Sequence, residues 1–163
     1  MVKHGVFAII ALVLLSGPAL AQNASQISSV ARGQSCPGCN LFQANLAYRD
    51  IPGVDLSGAR LRQANLSLAT FNNARFVGTN LSVANLFGAR FTGANFSNAD
   101  LSHANLVGAH FGGANLSGAN LTGATLSGAE LVEARGLTQS QLNTACGDAS
   151  TELPRGLRIP VCR

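Results

Sequence analysis

Large apolar residues return at every fifth position from residue 39 to residue 133. Leu, Ile or Phe occupies Leu41, Leu46, Ile51 and each fifth residue thereafter to Leu131, nineteen in succession without an insertion. The interval fits neither the helical period of about 3.6 nor the strand period of about 2. A chain that keeps it must turn a corner at each repeat and wind into a solenoid whose coils bury one another.

When the large apolar residue is taken as the third of five positions, the first position is Ala in fifteen of the nineteen repeats. Both positions are expected to face inward, Leu or Phe filling the middle of a side and Ala fitting where the chain bends and backbones crowd. The fifth position is Gly in ten repeats and Asn in two, Asn73 and Asn98. These residues tolerate positive φ best, so the corner is predicted between repeats. Positions two and four are mostly Asn, Asp, Arg, Ser or Thr and are expected to face water.

A second period sets the number of repeats per coil. Phe71, Phe91 and Phe111 are twenty residues apart, as are Phe76 and Phe96, and so are Asn45, Asn65, Asn85 and Asn105. Four repeats per coil would stack each set, and coils about 4.8 Å apart would suit offset aromatic stacking.

The residues also spell Ala44-Asn45-Leu46, Ala64-Asn65-Leu66, Ala84-Asn85-Leu86, Ala99-Asp100-Leu101, Ala104-Asn105-Leu106, Ala114-Asn115-Leu116 and Ala119-Asn120-Leu121. This pattern resembles the pentapeptide repeat family. The resemblance implies an all-β fold, a right-handed four-sided β-helix, over residues 39–133. The first coil departs from the pattern at Arg49-Asp50-Ile51-Pro52-Gly53-Val54, which puts Arg at a small inward site and Pro where an amide hydrogen is wanted. A distorted edge is expected there.

The ends read differently. Lys3 and His4 precede the apolar run Val6–Leu15 and the small-residue site Ala19-Leu20-Ala21, the layout of a signal peptide over residues 1–21. The run is too short to span a membrane comfortably, so cleavage before Gln22 and an exported protein, periplasmic or secreted, are expected, with no transmembrane segment once the signal is removed; an uncleaved anchor is the alternative. Residues 22–38 are polar and small and read as a loose lead-in. Past Glu133, Thr138-Gln139-Ser140-Gln141 fits a capping box opening a short helix through Leu142, Ala145 and Cys146, with Gly147 stopping it. The rest of the 134–163 segment reads as a strap in which Leu153, Leu157, Ile159 and Val161 cover the last coil.

Export favours disulfides among Cys36, Cys39, Cys146 and Cys162. The two ends of almost five coils lie about 20 Å apart. A disulfide needs Cα atoms within about 7 Å, which leaves Cys36 with Cys39 and Cys146 with Cys162. The same distance excludes one four-cysteine zinc site. The spacing in Cys36-Pro37-Gly38-Cys39 also suits a thiol-disulfide oxidoreductase, but that chemistry sits between a strand and a helix, and here the segment enters a repeat coil.

Other catalytic chemistry has little support. His103 and His110 face outward on different sides, and His110 is expected to stack between Arg90 and Glu130 in a solvated ladder. Asp50, Asp55, Asp100 and Glu130 occupy outward positions without a concave pocket. No enzyme, metal site or cofactor is expected. Some members of the family are gyrase-binding DNA mimics with an acidic rod. Without Lys3 this chain has ten Arg against seven acids, a net charge of +3, the wrong sign for such a gyrase-type DNA mimic. Its arginines fall on several sides and form no stripe for nucleic acid. What remains is surface: Tyr48, Leu68, Phe87 and Val107 form an apolar column beside the Asn series, a possible interaction patch. The expected role is an exported, non-catalytic scaffold acting through an unknown protein or envelope component. Its rivals are a module recognising glycan or another repetitive surface, and the Cys36/Cys39 oxidoreductase.

Overall fold

The computed structural model describes residues 23–163, so the expected signal peptide lies outside the described residues. Parallel bridges join residues twenty apart, from Asn40 with Arg60 through Asn65 with Asn85 to Asn115 with Arg135. Each twenty-residue coil contains four tight turns. The fold is a β-helix in which every side gives one residue to each ladder, because a turn interrupts the strand before a second can pair.

The hydrogen bonds explain the positional code. Third-position N–H groups donate to the second-position carbonyl of the following coil, as Leu66 does to Asn85 at 2.7 Å. Fifth-position N–H groups donate forward to the fourth-position carbonyl, as Leu68 does to Phe87 at 2.8 Å, while second-position N–H groups donate backward, as Asn85 does to Ala64 at 2.9 Å. The first-position N–H closes the turn on the third-position carbonyl, as Ala84 does to Leu81 at 3.1 Å. Eighteen of the nineteen fifth positions have φ > 0, Glu133 being the exception. That conformation at the third residue of a four-residue turn is the type II signature. Eight of these sites carry side chains other than glycine, including Tyr48 (φ 60°), Leu68 (φ 56°) and Val83 (φ 58°).

Fourth-position N–H groups have no backbone partner in any repeat. The Asn or Asp two residues earlier accepts many of them, as Asn45 Oδ1 does from Ala47 at 3.2 Å and Asp100 Oδ1 from Ser102 at 3.0 Å. This corrects the expectation of a distorted edge at Pro52. Proline falls at the one position whose amide hydrogen the ladder does not use, and Ile51 and Gly53 still donate to Thr70 and Asn72, each at 2.8 Å. Arg49 is exposed rather than inward, while Ile51 and Val54 beside it are buried.

All nineteen third-position side chains and all fifteen first-position alanines are buried. Thr79 is also buried at a first position, where its hydroxyl donates to the Leu56 carbonyl at 2.8 Å. Five phenylalanines, Phe71, Phe76, Phe91, Phe96 and Phe111, form a central spine. Phe71 and Phe91 stack at 6.1 Å between centroids, Phe91 and Phe111 at 5.3 Å, and Phe76 and Phe96 at 4.7 Å, while Phe91 meets Phe96 edge to face at 5.0 Å.

The segment expected to be a loose lead-in is instead a helix, α1 (Ala24–Ala31). Asn23 caps it by accepting from the Gln26 N–H at 3.2 Å. Its Val30 is fully buried and Ile27 packs on the core, so the apolar top of the first coil holds a sequence with little helical preference of its own. At the other end, α2 (Gln139–Leu142) has the capping box: Gln141 N–H donates to Thr138 Oγ1 and the Thr138 N–H donates to Gln141 Oε1. It ends before Cys146. Gln141 Nε2 also donates to the Leu116 and Ala119 carbonyls, each at 2.9 Å.

Beyond α2 the chain continues the ladder, with Gly123, Leu126 and Leu131 N–H groups donating to Thr144, Cys146 and Glu152 at 2.7 Å each. Leu153, Leu157 and Ile159 pack against the core. Val161 does not: its backbone pairs with Gly147 and its side chain is 72% exposed.

Candidate interaction surface

The bridge register defines four strips along the coil stack. One runs through Asn45, Asn65, Asn85, Asn105 and Thr125. Its outward positions are Asn45, Ala47, Tyr48, Asn65, Ser67, Leu68, Asn85, Phe87, Gly88, Asn105, Val107, Gly108, Thr125, Ser127 and Gly128, without a charge among them. Each of the other strips carries charges, for example Asp50, Arg90 and Glu130 on the next one round.

The four apolar residues singled out from the sequence lie on this uncharged strip in two adjacent columns. Tyr48 and Leu68 hold fifth positions, Phe87 and Val107 fourth positions. Tyr48 is 76% exposed, Leu68 47% and Phe87 44%, and Val107 is half-buried. The columns interlock at Gly88, where an added Cβ would lie 2.7 Å from Leu68 Cδ2, so the missing side chain lets Leu68 lie over the next coil. The strip ends where Ser127 Oγ approaches Cys162 Sγ at 3.8 Å.

The neighbouring Asn column is engaged in the fold. Each Oδ1 of Asn45, Asn65, Asn85 and Asn105 accepts the N–H two residues on, at 3.1–3.2 Å. Asn85 and Asn105 amides also donate down the column, to Asn65 at 3.4 Å and Asn85 at 3.2 Å.

The structure joins Cys36 to Cys39, Cα atoms 5.5 Å apart, and Cys146 to Cys162, at 4.8 Å. Cys39 is buried as the first inward residue of the first coil. The second pair ties the end of the chain beside the last coil. His110 lies between Arg90 and Glu130 in the ladder, its Nδ1 2.7 Å from Glu130 Oε2, while His103 lies in a different strip with its ring over Gly123. Among the described residues no cluster of His, Cys, Asp or Glu is placed to hold a metal ion. Nor is any described helix long and apolar enough to cross a membrane.

The carboxylate of Asp55 is held below its ordinary pKa, first by the Ser57 hydroxyl at 2.6 Å, then by the Ser57 N–H at 2.9 Å and by the Arg75 guanidinium at 3.4 Å. Asp148 is lowered chiefly by the Ser150 hydroxyl and N–H. Both acids act as turn-stabilising acceptors.

The sequence profile of pentapeptide repeats matches in eight copies, over residues 39–76, 64–102 and 99–135. The chain belongs to the pentapeptide repeat family. Among solved structures, this pentapeptide repeat protein is similar to one from the Arabidopsis thaliana thylakoid lumen, 28% identical over 76% of this chain and 84% of that one, TM-score 0.35. It is similar to one from Nostoc PCC 7120, 26% identical over 86% and 92%, TM-score 0.39. A third, from the cyanobacterium Cyanothece 51142, is 25% identical over 78% and 96%, TM-score 0.37. No curated protein matches the chain.

Sequence reasoning missed other exposed apolar residues, Val83, Val132 and Val161. It also missed a hollow of 420 Å³ on the strip that precedes the apolar columns, lined by Asn40, Phe42, Gly58, Ala59, Arg60, Arg62, Gly78 and Asn80. Its only signal in the sequence is the twenty-residue register that stacks Gly58 under Gly78 and Arg60 between Asn40 and Asn80.

Proposed function

We propose that this chain is an exported, non-catalytic scaffold that binds a protein or envelope component through its uncharged strip. The observation that carries the reading is the coincidence on one strip of no charge with exposed Tyr48, Leu68 and Phe87. A contiguous apolar patch is costly to leave in water and marks a contact site. A neutral strip on a chain of net charge +4 offers a partner shape, apolar area and neutral hydrogen-bonding groups, without an ion pair. The rival reading, a glycan or other repetitive ligand on the Asn column, is weakened because those side-chain oxygens already accept turn hydrogen bonds.

The supporting architecture is a right-handed, four-sided coil with α1 at one end and α2 with its strap at the other as caps. Cleavage after Ala21 would deliver the chain to an oxidising compartment, where both cysteine pairs persist as disulfides. N-terminal sequencing of the exported protein should begin at Gln22. The contact reading is tested by affinity capture from the native envelope with the wild type and with Leu68→Asp combined with Phe87→Asp. Asp at residue 68 tolerates the positive φ there, so the double variant should fold and lose its partner. Unchanged capture overturns the patch.

A further inference from the structure

The hollow lined by Arg60 and Arg62 lies on a different corner from the proposed contact columns and has a different chemistry. It arises because Gly58 and Gly78, stacked one coil apart at φ 66° and φ 61°, present no side chain: a Cβ added at either meets nothing within 4 Å. The two glycines form an open floor. Arg60 and Arg62 line the hollow from one repeat, with Asn40 and Asn80 stacked on either side of Arg60. Phe42, half-buried, supplies an aromatic wall.

Charge is what makes the hollow specific. The ion pairs among the described residues are Arg75 with Asp55 and His110 with Glu130, so neither lining guanidinium is neutralised. A second hollow of 370 Å³ is lined by Glu130, Glu133 and Glu152, which gives it the opposite preference. Guanidinium forks bind carboxylates in two-pronged geometry, and they and an aromatic ring also favour a flat ligand face. The volume lies within the range of small-molecule sites, roughly 300–1,000 Å³.

We propose that this hollow is a binding site for a small ring carboxylate, the carboxylate engaging Arg60 and Arg62 and the ring lying against Phe42 over the glycine floor. The shared chemistry is a carboxylate fixed to a ring with one apolar face, which an aromatic acid or a uronic sugar would supply. No bond is made or broken in this step; the site binds and releases.

The test uses the mature chain with four probes: naphthalene-2-carboxylate and digalacturonate, and their neutral counterparts naphthalene-2-carboxamide and galactobiose. Amide chemical shifts are followed by NMR. Saturable shifts confined to residues 40–42, 58–62 and 78–80 are expected with one acid or both, the responder telling an aromatic source from a sugar. The neutral analogues should bind at least tenfold more weakly, and raising salt should weaken the acid. Arg60→Gln with Arg62→Gln should reduce affinity tenfold or more with the spectrum otherwise unchanged. Gly58→Asn should also block binding, because Asn is accommodated at positive φ at Asn73 and Asn98, where it lies over the glycine of the following coil. Absence of saturation with both acids overturns the site, as does equal binding of the neutral probes or full affinity in the double arginine variant.

Discussion

Phe91 is the residue whose removal the fold should feel most. Its ring contacts four others: Phe71 and Phe111 stacked at 6.1 and 5.3 Å, Phe76 and Phe96 edge to face at 5.8 and 5.0 Å. It has no solvent exposure, and neighbouring coils are held in register by their ladders, so the site cannot collapse around a void. Phe91→Ala should therefore cost about 3–5 kcal/mol. Phe91→Leu places in the spine the residue that fills most third positions, and should cost about 1–2 kcal/mol, the loss of favourable ring geometry partly offset by retained volume. Urea unfolding of both variants, read by far-UV circular dichroism, gives the two values. A double-mutant cycle of Phe91→Leu with Phe96→Leu should return a coupling of about 0.5–1.5 kcal/mol. If Phe91→Ala costs less than about 1 kcal/mol, the interior is not packed as described. If the cycle returns no coupling, the rings contribute volume alone.

Other predictions follow from the positional code and the ends. Ala47→Pro, at a fourth position, should change stability by no more than about 1 kcal/mol, since it gives up only the bond to Asn45 Oδ1. Asn85→Pro removes a ladder donor and should cost about 3 kcal/mol or more; equal costs in thermal melts would refute the distinction. Because the pKa of Asp55 is lowered in the folded state, its contribution is present above the unfolded carboxylate value of about 3.9 and is lost as pH falls through the lower folded value. Asp55→Asn should accordingly flatten the fall of the urea midpoint in that acid window, and an unchanged slope would contradict the assignment. Replacing Cys146 and Cys162 together by Ser should lower stability by about 3 kcal/mol, measured under non-reducing conditions; no loss would mean that the pair does not restrain the chain.

Periodicity carried most of the interior. Once Leu41 to Leu131 are placed in register, the buried alanines and the stacked phenylalanines follow, because each coil repeats the environment of the one before. The same reasoning misjudged Pro52, since an extended chain is expected to use every amide, and only the hydrogen-bond scheme shows that fourth-position amides are passed over. Helix α1 was hidden for another reason. Ser25, Ser28 and Ser29 weaken helical preference over eight residues, and the force that orders them comes from a surface, the top of the first coil, that local sequence does not describe. Tyr48, Leu68 and Phe87 could be placed outward by counting, whereas the Arg60 and Arg62 hollow depends on side chains that are missing from Gly58 and Gly78.

A ladder that repeats the same unit has no internal reason to end, and its forward edge presents two amide donors per side. Here much of that edge is covered: Gly123, Leu126 and Leu131 donate to the chain's own returning segment, and the Gly128 N–H is taken by Asp148 Oδ1 at 3.3 Å. The returning segment thus takes up several of the amides at which a second molecule would otherwise dock to lengthen the rod. The fold that repeats without limit in the middle of the chain is thereby given a boundary by a tail that turns back upon the stack.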